Sequence, residues 1–321
     1  MTQRAPTPAG PTPRVHVLLA SYQGARYIGE QLASIANQTH PDWSLTISDD
    51  GSRDDTVVLC EAFAAQHPEH SIRVIQGPRR HSTANFFHLL NTVQPASEGD
   101  LFAFSDQDDV WMADKLSRAV AALHALQPAP GQAALYAART RLVNEHLQPT
   151  GISRQPMRRL GFGNALLQNV ASGNTMVFNT ALLHLLRLIR PEHAVLHDWC
   201  AYQAVTGCGG LMSFDPEPCL LYRQHADNLI GSQGRSWDKI QRIGKLFRGQ
   251  YRTWGDQTEA AMNDLAPALT PEALRLLRNF QVMRRQPGPI GRIQAGRRSG
   301  LWRQTLSGRA SLWLGLAMNR I

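Results

Sequence analysis

Between residues 15 and 126 the chain alternates short apolar runs with longer segments in which apolar residues recur at helical spacing. VHVLLA (Val15–Ala20), WSLTIS (Trp43–Ser48), IRVIQ (Ile72–Gln76) and LFAFS (Leu101–Ser105) predict four strands, rich in the residues that central strands bury on both faces. Helices are predicted over Ile28–Asn37, from a cap at Asp54 or Asp55 to about Gln66, over Ala84–Thr92, and from about Ala113 to Leu126. Strands alternating with helices in this way predict an α/β fold with a largely parallel sheet.

The rhythm changes after residue 130. ALYAARTRLVNEH reads as two short strands or one bent ribbon, and QPTG as a turn. TMVFN (Thr175–Asn179) predicts a strand, Thr180–Leu188 and Asp198–Thr206 predict helices, and GLMSF and CLLYRQH two further strands. From about Ser236 the pattern is helical, broken by PGPIGR at Pro287–Arg292. The opening MTQRAPTPAGPTPR is Pro-rich with no apolar core, so residues 1–13 are expected to be disordered and not a secretory leader.

Composition sharpens this picture in two places. No apolar run approaches the roughly 20 residues of a membrane-spanning helix, and the four cysteines form no CxxC pair or ligand spacing, which predicts reduced thiols in a cytoplasmic protein. The charge is divided unevenly: residues 235–321 carry 16 Lys and Arg against 5 Asp and Glu, whereas residues 1–234 carry 17 against 20. A basic tail on a mildly acidic body suits a polyanionic partner, either nucleic acid or an anionic membrane surface, and suits equally a solvated helical face. Near the end, Leu301, Trp302, Leu306, Leu312, Trp313 and Leu316 lie among arginines. That pattern fits a helix in an anionic membrane interface, or one packed on the body or on a second copy of the chain.

Candidate chemistry gathers at the ends of the predicted strands, where open α/β sheets bind ligands. SYQG follows the first strand, SDDGS the second and SDQDD the fourth. Asp106 and Asp108, two apart on an extended segment, point the same way, and two convergent carboxylates call for a cation between them. A hard divalent ion with oxygen ligands, Mg²⁺ or Mn²⁺, would serve; Asp108 or Asp109 as the cap of the following helix is the competing reading. Neither GxxxxGK[ST] nor a GxGxxG after the first strand is present, so a nucleotide bound here would rely on metal and not on a glycine cradle.

VHVLLASYQGARYIGEQLASIANQT, LTISDDGSRDDT and FSDQDDVWMADKL together resemble glycosyltransferase family 2, from about Val15 to Leu126, and ASGNTMVFN, LHDW and YRQHADNLIG extend the likeness loosely to about Gly231. SDQDD-W with HDW and YRQH is most similar to the rhamnosyltransferase-like branch. The resemblance implies a GT-A fold: a Rossmann-like nucleotide-binding half (14–127) with a mixed central sheet, an acceptor-binding half (128–234), and a basic helical C-terminal extension (235–321). It implies an inverting transfer of a sugar from a dTDP- or UDP-linked donor, dTDP-rhamnose first, to a cell-surface or lipid-linked glycan on the inner face of the cell membrane. By the same resemblance Ser21 and Tyr22 line the base pocket, and Asp49 and Asp50 meet base and ribose. Asp106 and Asp108 form a DxD motif toward donor and metal, His225 completes the metal shell, and Asp198 is the catalytic base. Asp198 read by itself serves equally as a helix cap, and Trp111 and Trp199 as packing residues. Two other functions compete. A nucleotidyltransferase would bring a Gly-rich basic loop after the first strand, where SYQGARY stands. A nucleic-acid-binding protein would leave the acidic strand ends unexplained, since they repel phosphate.

Overall fold

The computed structural model describes residues 12–225 and 250–321, so the N-terminal segment up to residue 11, the ADNLIG stretch and the start of the basic region lie outside the described residues. Strands β1 (Val15–Ser21), β2 (Trp43–Asp49), β3 (Ser71–Gln76) and β4 (Leu101–Ser105) form where the apolar runs predict them, with helices α1 (Ile28–Ala36), α2 (Thr56–Gln66) and α3 (Ser82–Thr92) between them. They pair in parallel in the order β3-β2-β1-β4. The chain leaves β1 toward β2 on one side and comes back to β4 on the other. The resulting crevice, at the carboxyl ends of β1 and β4, is a topological switch point.

Past β4 the sheet becomes mixed. The chain continues through β5 (Val110–Trp111), α4 (Lys115–Leu126), β6 (Ala134–Val143), β7 (Pro149–Ile152), α5 (Phe162–Ala165), β8 (Val177–Asn179), α6 (Thr180–Arg187), α7 (His197–Gly207) and β9 (Leu211–Arg223). β8 runs antiparallel between β4 and β6, β6 pairs in parallel with β9, and β5 closes the edge antiparallel to β9.

Several expectations from local sequence are corrected here. GLMSF and CLLYRQH belong to one strand, which passes DPEP by shifting its register against β6. Bulges of this kind let an edge accept prolines that would otherwise end pairing. ALYAARTRLV is a single strand, and QPTG contributes to β7 in place of a free turn. TMVFN loses its first residues to a 3₁₀ turn, Gly173–Thr175. Trp111 is drawn into β5, so α4 begins at Lys115 and not near Ala113.

Side chains alternate across the sheet as strand geometry requires. Leu18, Phe102, Phe104, Leu135 and Phe178 face the side covered by α3, α6 and α7. Val17, Leu19, Leu45, Ile47, Ala103 and Tyr136 face Leu32 and Ile35 of α1, Cys60 of α2, and Leu116 and Leu123 of α4. Among the described residues four helices follow at the C-terminus: α8 (Gln250–Asp264), α9 (Pro271–Arg285), α10 (Gly288–Arg298) and α11 (Leu306–Ala317). PGPIGR interrupts them only briefly: α9 ends at Arg285, and Pro287 already holds the N-cap position of α10. Met262, Phe280, Met283, Leu312 and Leu316 join the same apolar cluster as Leu18 and Phe102, so these helices rest on the body. All four cysteines are free thiols, and among the described residues no helix is long and apolar enough to cross a membrane.

Candidate active site

The ends of β1 and β2 are register neighbours, Ser21 beside Asp49. Ser21 Oγ donates to Asp49 Oδ2 at 3.0 Å. Asp49 also accepts from the Gly51 and Ser52 backbone N–H groups at 3.1 and 2.8 Å, and from Ser52 Oγ at 2.6 Å. Asp50 accepts from the backbone N–H groups of Arg79 (2.6 Å) and Arg80 (3.0 Å). Tyr22 is more than half exposed. Its backbone exchanges two hydrogen bonds with the Gln107 side chain, at 2.8 and 2.9 Å, which stitches the loop after β1 to the loop after β4. Sequence reading did not assign Gln107; a glutamine among aspartates carries no signal until the two loops are seen side by side.

The acidic loop runs from β4 into β5 and not into a helix. The residue at the N-cap position of α4 is Asp114, so neither Asp108 nor Asp109 is a helix cap. Asp109 is fully buried and its Oδ2 accepts from Asn174 Nδ2 at 2.5 Å, while Oδ1 has no partner. Asp108 and His225 meet, Oδ2 to Nε2 at 2.8 Å, and the His225 ring stacks on Tyr27 with centroids 5.1 Å apart. Arg223, also buried, secures this loop by its backbone: it donates to the carbonyls of Asp108 at 3.0 Å and Glu145 at 2.5 Å, and to the Glu30 carboxylate. Buried Lys115 donates to Asn174 O at 2.6 Å and lies 3.2 Å from the Trp111 ring centroid.

Asp198 stands in the first turn of α7, past the N-cap position held by Leu196, which removes the capping reading. Its Oδ2 accepts from Gly173 N–H at 3.1 Å and its Oδ1 from Trp199 N–H at 2.7 Å. Gly173 is required by close approach. A Cβ there would lie 2.6 Å from His197 Nε2 and 3.0 Å from Asp198 Cβ. The 3₁₀ turn therefore holds Asp198 through Gly173 and the acidic loop through Asn174, one residue apart. Both tryptophans pack: Trp111 under Lys115, and Trp199 with its Nε1 donating to Ala165 O at 2.6 Å.

Electrostatics sets these carboxylates apart. Burial, then the charges of Asp108 and Asp198, push Asp106 up to about 7. Burial and the charges of Asp108 and Asp106 hold Asp109 well above the usual carboxylate range, against the Asn174 hydrogen bond. Burial raises Asp198 to about 6 and depresses Lys115 to about 7. The crevice thus crowds carboxylates whose ionised forms burial and mutual repulsion make costly.

A comparison with known families matches residues 16–183 to the model of glycosyl transferase family 2. The chain belongs to glycosyltransferase family 2. Among its family-2 relatives it is 30% identical to the dTDP-rhamnosyl transferase RfbG of Shigella flexneri, over 73% of this chain and 81% of the relative. Its GT-A fold is shared with the mannosyltransferase PcManGT of Pyrobaculum calidifontis, solved with GDP-Man and Mn²⁺, at TM-score 0.57 and 17% identity over 98% and 83% of the two chains. S. aureus TarS 1-349 in complex with UDP aligns at TM-score 0.52 and 15% identity, covering 96% and 90%.

For the divalent ion that the family-2 fold implies, the side chains that the sequence marks as candidate donors are Asp106, Asp108 and His225. Asp108 and His225 already touch, and Asp106 is held in the field of Asp108. Among the described residues no three His, Cys, Asp or Glu side chains are grouped closely enough to hold a metal ion, so Asp106 is not brought together with the Asp108–His225 pair. Oxygen and imidazole donors with open positions fit Mg²⁺ or Mn²⁺ better than a closed structural site.

Proposed function

We propose that this glycosyltransferase moves rhamnose from dTDP-rhamnose to a lipid-linked or cell-surface glycan at the cytoplasmic face of a membrane, with inversion at the sugar and dependence on a divalent ion. Residues 14–127 hold the donor, 128–234 the acceptor, and 235–321 form the basic extension. Similarity to a dTDP-rhamnosyl transferase over most of both chains supports the choice of donor. The observation that carries the chemistry is the turn at Gly173 and Asn174, which joins buried Asp198 to the acidic loop.

Ser21, Tyr22, Asp49 and Asp50 wall the nucleotide pocket, the first three at the ends of the two strands beside the switch point. Asp106, Asp108 and His225 would hold the ion, which supplies charge neutralisation for the departing diphosphate. Asp198 takes the proton from the acceptor hydroxyl, whose oxygen forms the new bond to the anomeric carbon as the bond to the diphosphate breaks. One displacement inverts the anomeric centre. With its pKa raised to about 6, Asp198 is a stronger base than an exposed aspartate and is ionised near neutral pH. Turnover of dTDP-rhamnose, UDP-glucose and UDP-N-acetylglucosamine with Mn²⁺ or Mg²⁺ is the test, with NMR of the product reading its configuration. The expected result is preference for dTDP-rhamnose. Preferential use of a UDP-hexose would overturn the donor, and a retained configuration the single displacement.

A further inference from the structure

After Glu272 the chain contains no acidic residue, yet it contains ten arginines and no lysine. Some of those arginines are occupied. Arg284 and Arg285 pair with Glu259, and Arg292 donates to the Leu316 and Ala317 carbonyls at the end of α11. Others converge with Arg158 on a cavity of about 430 Å³ between α10, α11 and the segment joining them. Its walls carry Arg158, Arg297, Arg303 and Arg309 together with Trp302 and Trp313, and no carboxylate. Arg297 and Arg309 are exposed, and their guanidinium groups make no hydrogen bond or ion pair among the described residues. On the two helices that bound this cavity, Leu306 is 80% exposed, Ile290 71% and Leu314 50%.

We propose that this cavity seats the phosphate of an anionic lipid headgroup, docking the C-terminal helices on a membrane surface. Guanidinium forks are suited to phosphate oxygens. The two indoles and the exposed Leu306, Ile290 and Leu314 supply the apolar and interfacial contacts that a soluble phosphate would leave idle. The position is consistent with a membrane-bound acceptor. Trp302 seats against Gly163, where a Cβ would lie 2.5 Å from its ring, and Asn164 Nδ2 donates to Trp302 O at 3.0 Å. Trp199, next to Asp198, donates to Ala165 in the same short helix. The cavity thus adjoins the half that carries Asp198, and the inference stands on its own residues whether or not rhamnose is the sugar.

The test is flotation of the full chain with phosphatidylcholine vesicles, with and without phosphatidylglycerol, run beside donor hydrolysis in solution. Wild type is expected to float only with the anionic vesicles. R297Q/R309Q should bind them roughly 25-fold more weakly, at about fivefold per arginine, with hydrolysis unchanged. R278Q/R320Q removes two exposed arginines outside the cavity and should stay within about twofold of wild type. If the double variant fails to fold, R297Q and R309Q singly carry the same expectation, about fivefold each. No binding by wild type, or equal losses in the two pairs, would overturn the site. So would binding of inorganic diphosphate in solution that is lost in R297Q/R309Q while vesicle binding survives.

Discussion

The carboxylates near β1 and β2 and those around the crevice are the same chemical group doing opposite things. Asp49 and Asp50 have both oxygens occupied by backbone N–H groups or hydroxyls of their own and neighbouring loops. At Asp54 burial raises the pKa, but hydrogen bonds from Thr56 and Ala25 outweigh it and hold the group below its ordinary value. Asp106 and Asp109 move the other way, upward, under burial and like charges, and Asp198 does so under burial alone, against hydrogen bonds from Gly173, Trp199 and Asn169. The balance of burial and like charge against donors, more than position at a strand end, separates aspartates that are joints in a loop from those held as costly charges.

The largest test of that division is D198N. If Asp198 is the base, transfer falls about 10²- to 10⁴-fold, while donor affinity by calorimetry stays within about threefold. The amide also removes a buried charge, so the melting temperature should hold or rise. A variant that transfers at the wild-type rate would place Asp198 with the joints. G173A comes next. Its Cβ would crowd His197 Nε2 at 2.6 Å and Asp198 Cβ at 3.0 Å, shifting the carboxylate without altering it. Misplacement on that scale costs about 10²-fold, to be read in kcat with donor binding preserved. Unchanged kcat would mean that the turn does not position the base.

Stability should divide the two groups in the opposite sense. D50A leaves the Arg79 and Arg80 N–H groups without their acceptor and is expected to cost about 1–3 kcal/mol in chemical denaturation. D106N relieves a crowded charge and should be neutral or stabilising by about 1 kcal/mol in metal-free buffer at pH 8. Equal losses in both would erase the distinction.

Most of the donor half is legible in the sequence because its signals are local. Each apolar run is one strand, each of β1 to β3 is followed by one helix, and the parallel pairing follows from their alternation. The mixed half resists for physical reasons. Val110 and Trp111 are too short a run to announce a strand, and pair with β9 more than 100 residues away. DPEP reads as a break because prolines disrupt ladders, yet β9 bulges past it. At the site, residue identity marks Asp106, Asp108, Asp198 and His225 as candidates. The Asp109–Asn174 bond, the Lys115–Asn174 bond and the Gln107 bridge are contacts between distant segments, and no spacing along the chain encodes them.

The smallest expected effect bears most directly on what the crowded carboxylates are for. Asp106 has its folded pKa raised to about 7, above the roughly 3.9 of an unfolded aspartate. The folded chain therefore holds that proton more tightly, and the stability this contributes is lost as pH rises through about 7. A divalent ion needs the ionised carboxylate and competes with the proton, so its stabilisation should grow over the same window. His197, depressed by burial to about 3, shifts the baseline with pH, but comparing samples with and without metal at each pH cancels its contribution. Saturating Mn²⁺ is expected to raise the melting temperature by about 2–4 °C at pH 8 and by much less at pH 5.5, and D108A should abolish the difference. A shift equal at both pH values, or one that survives in D108A, would mean that the ion binds elsewhere and that the crowded carboxylates are held for something other than a metal.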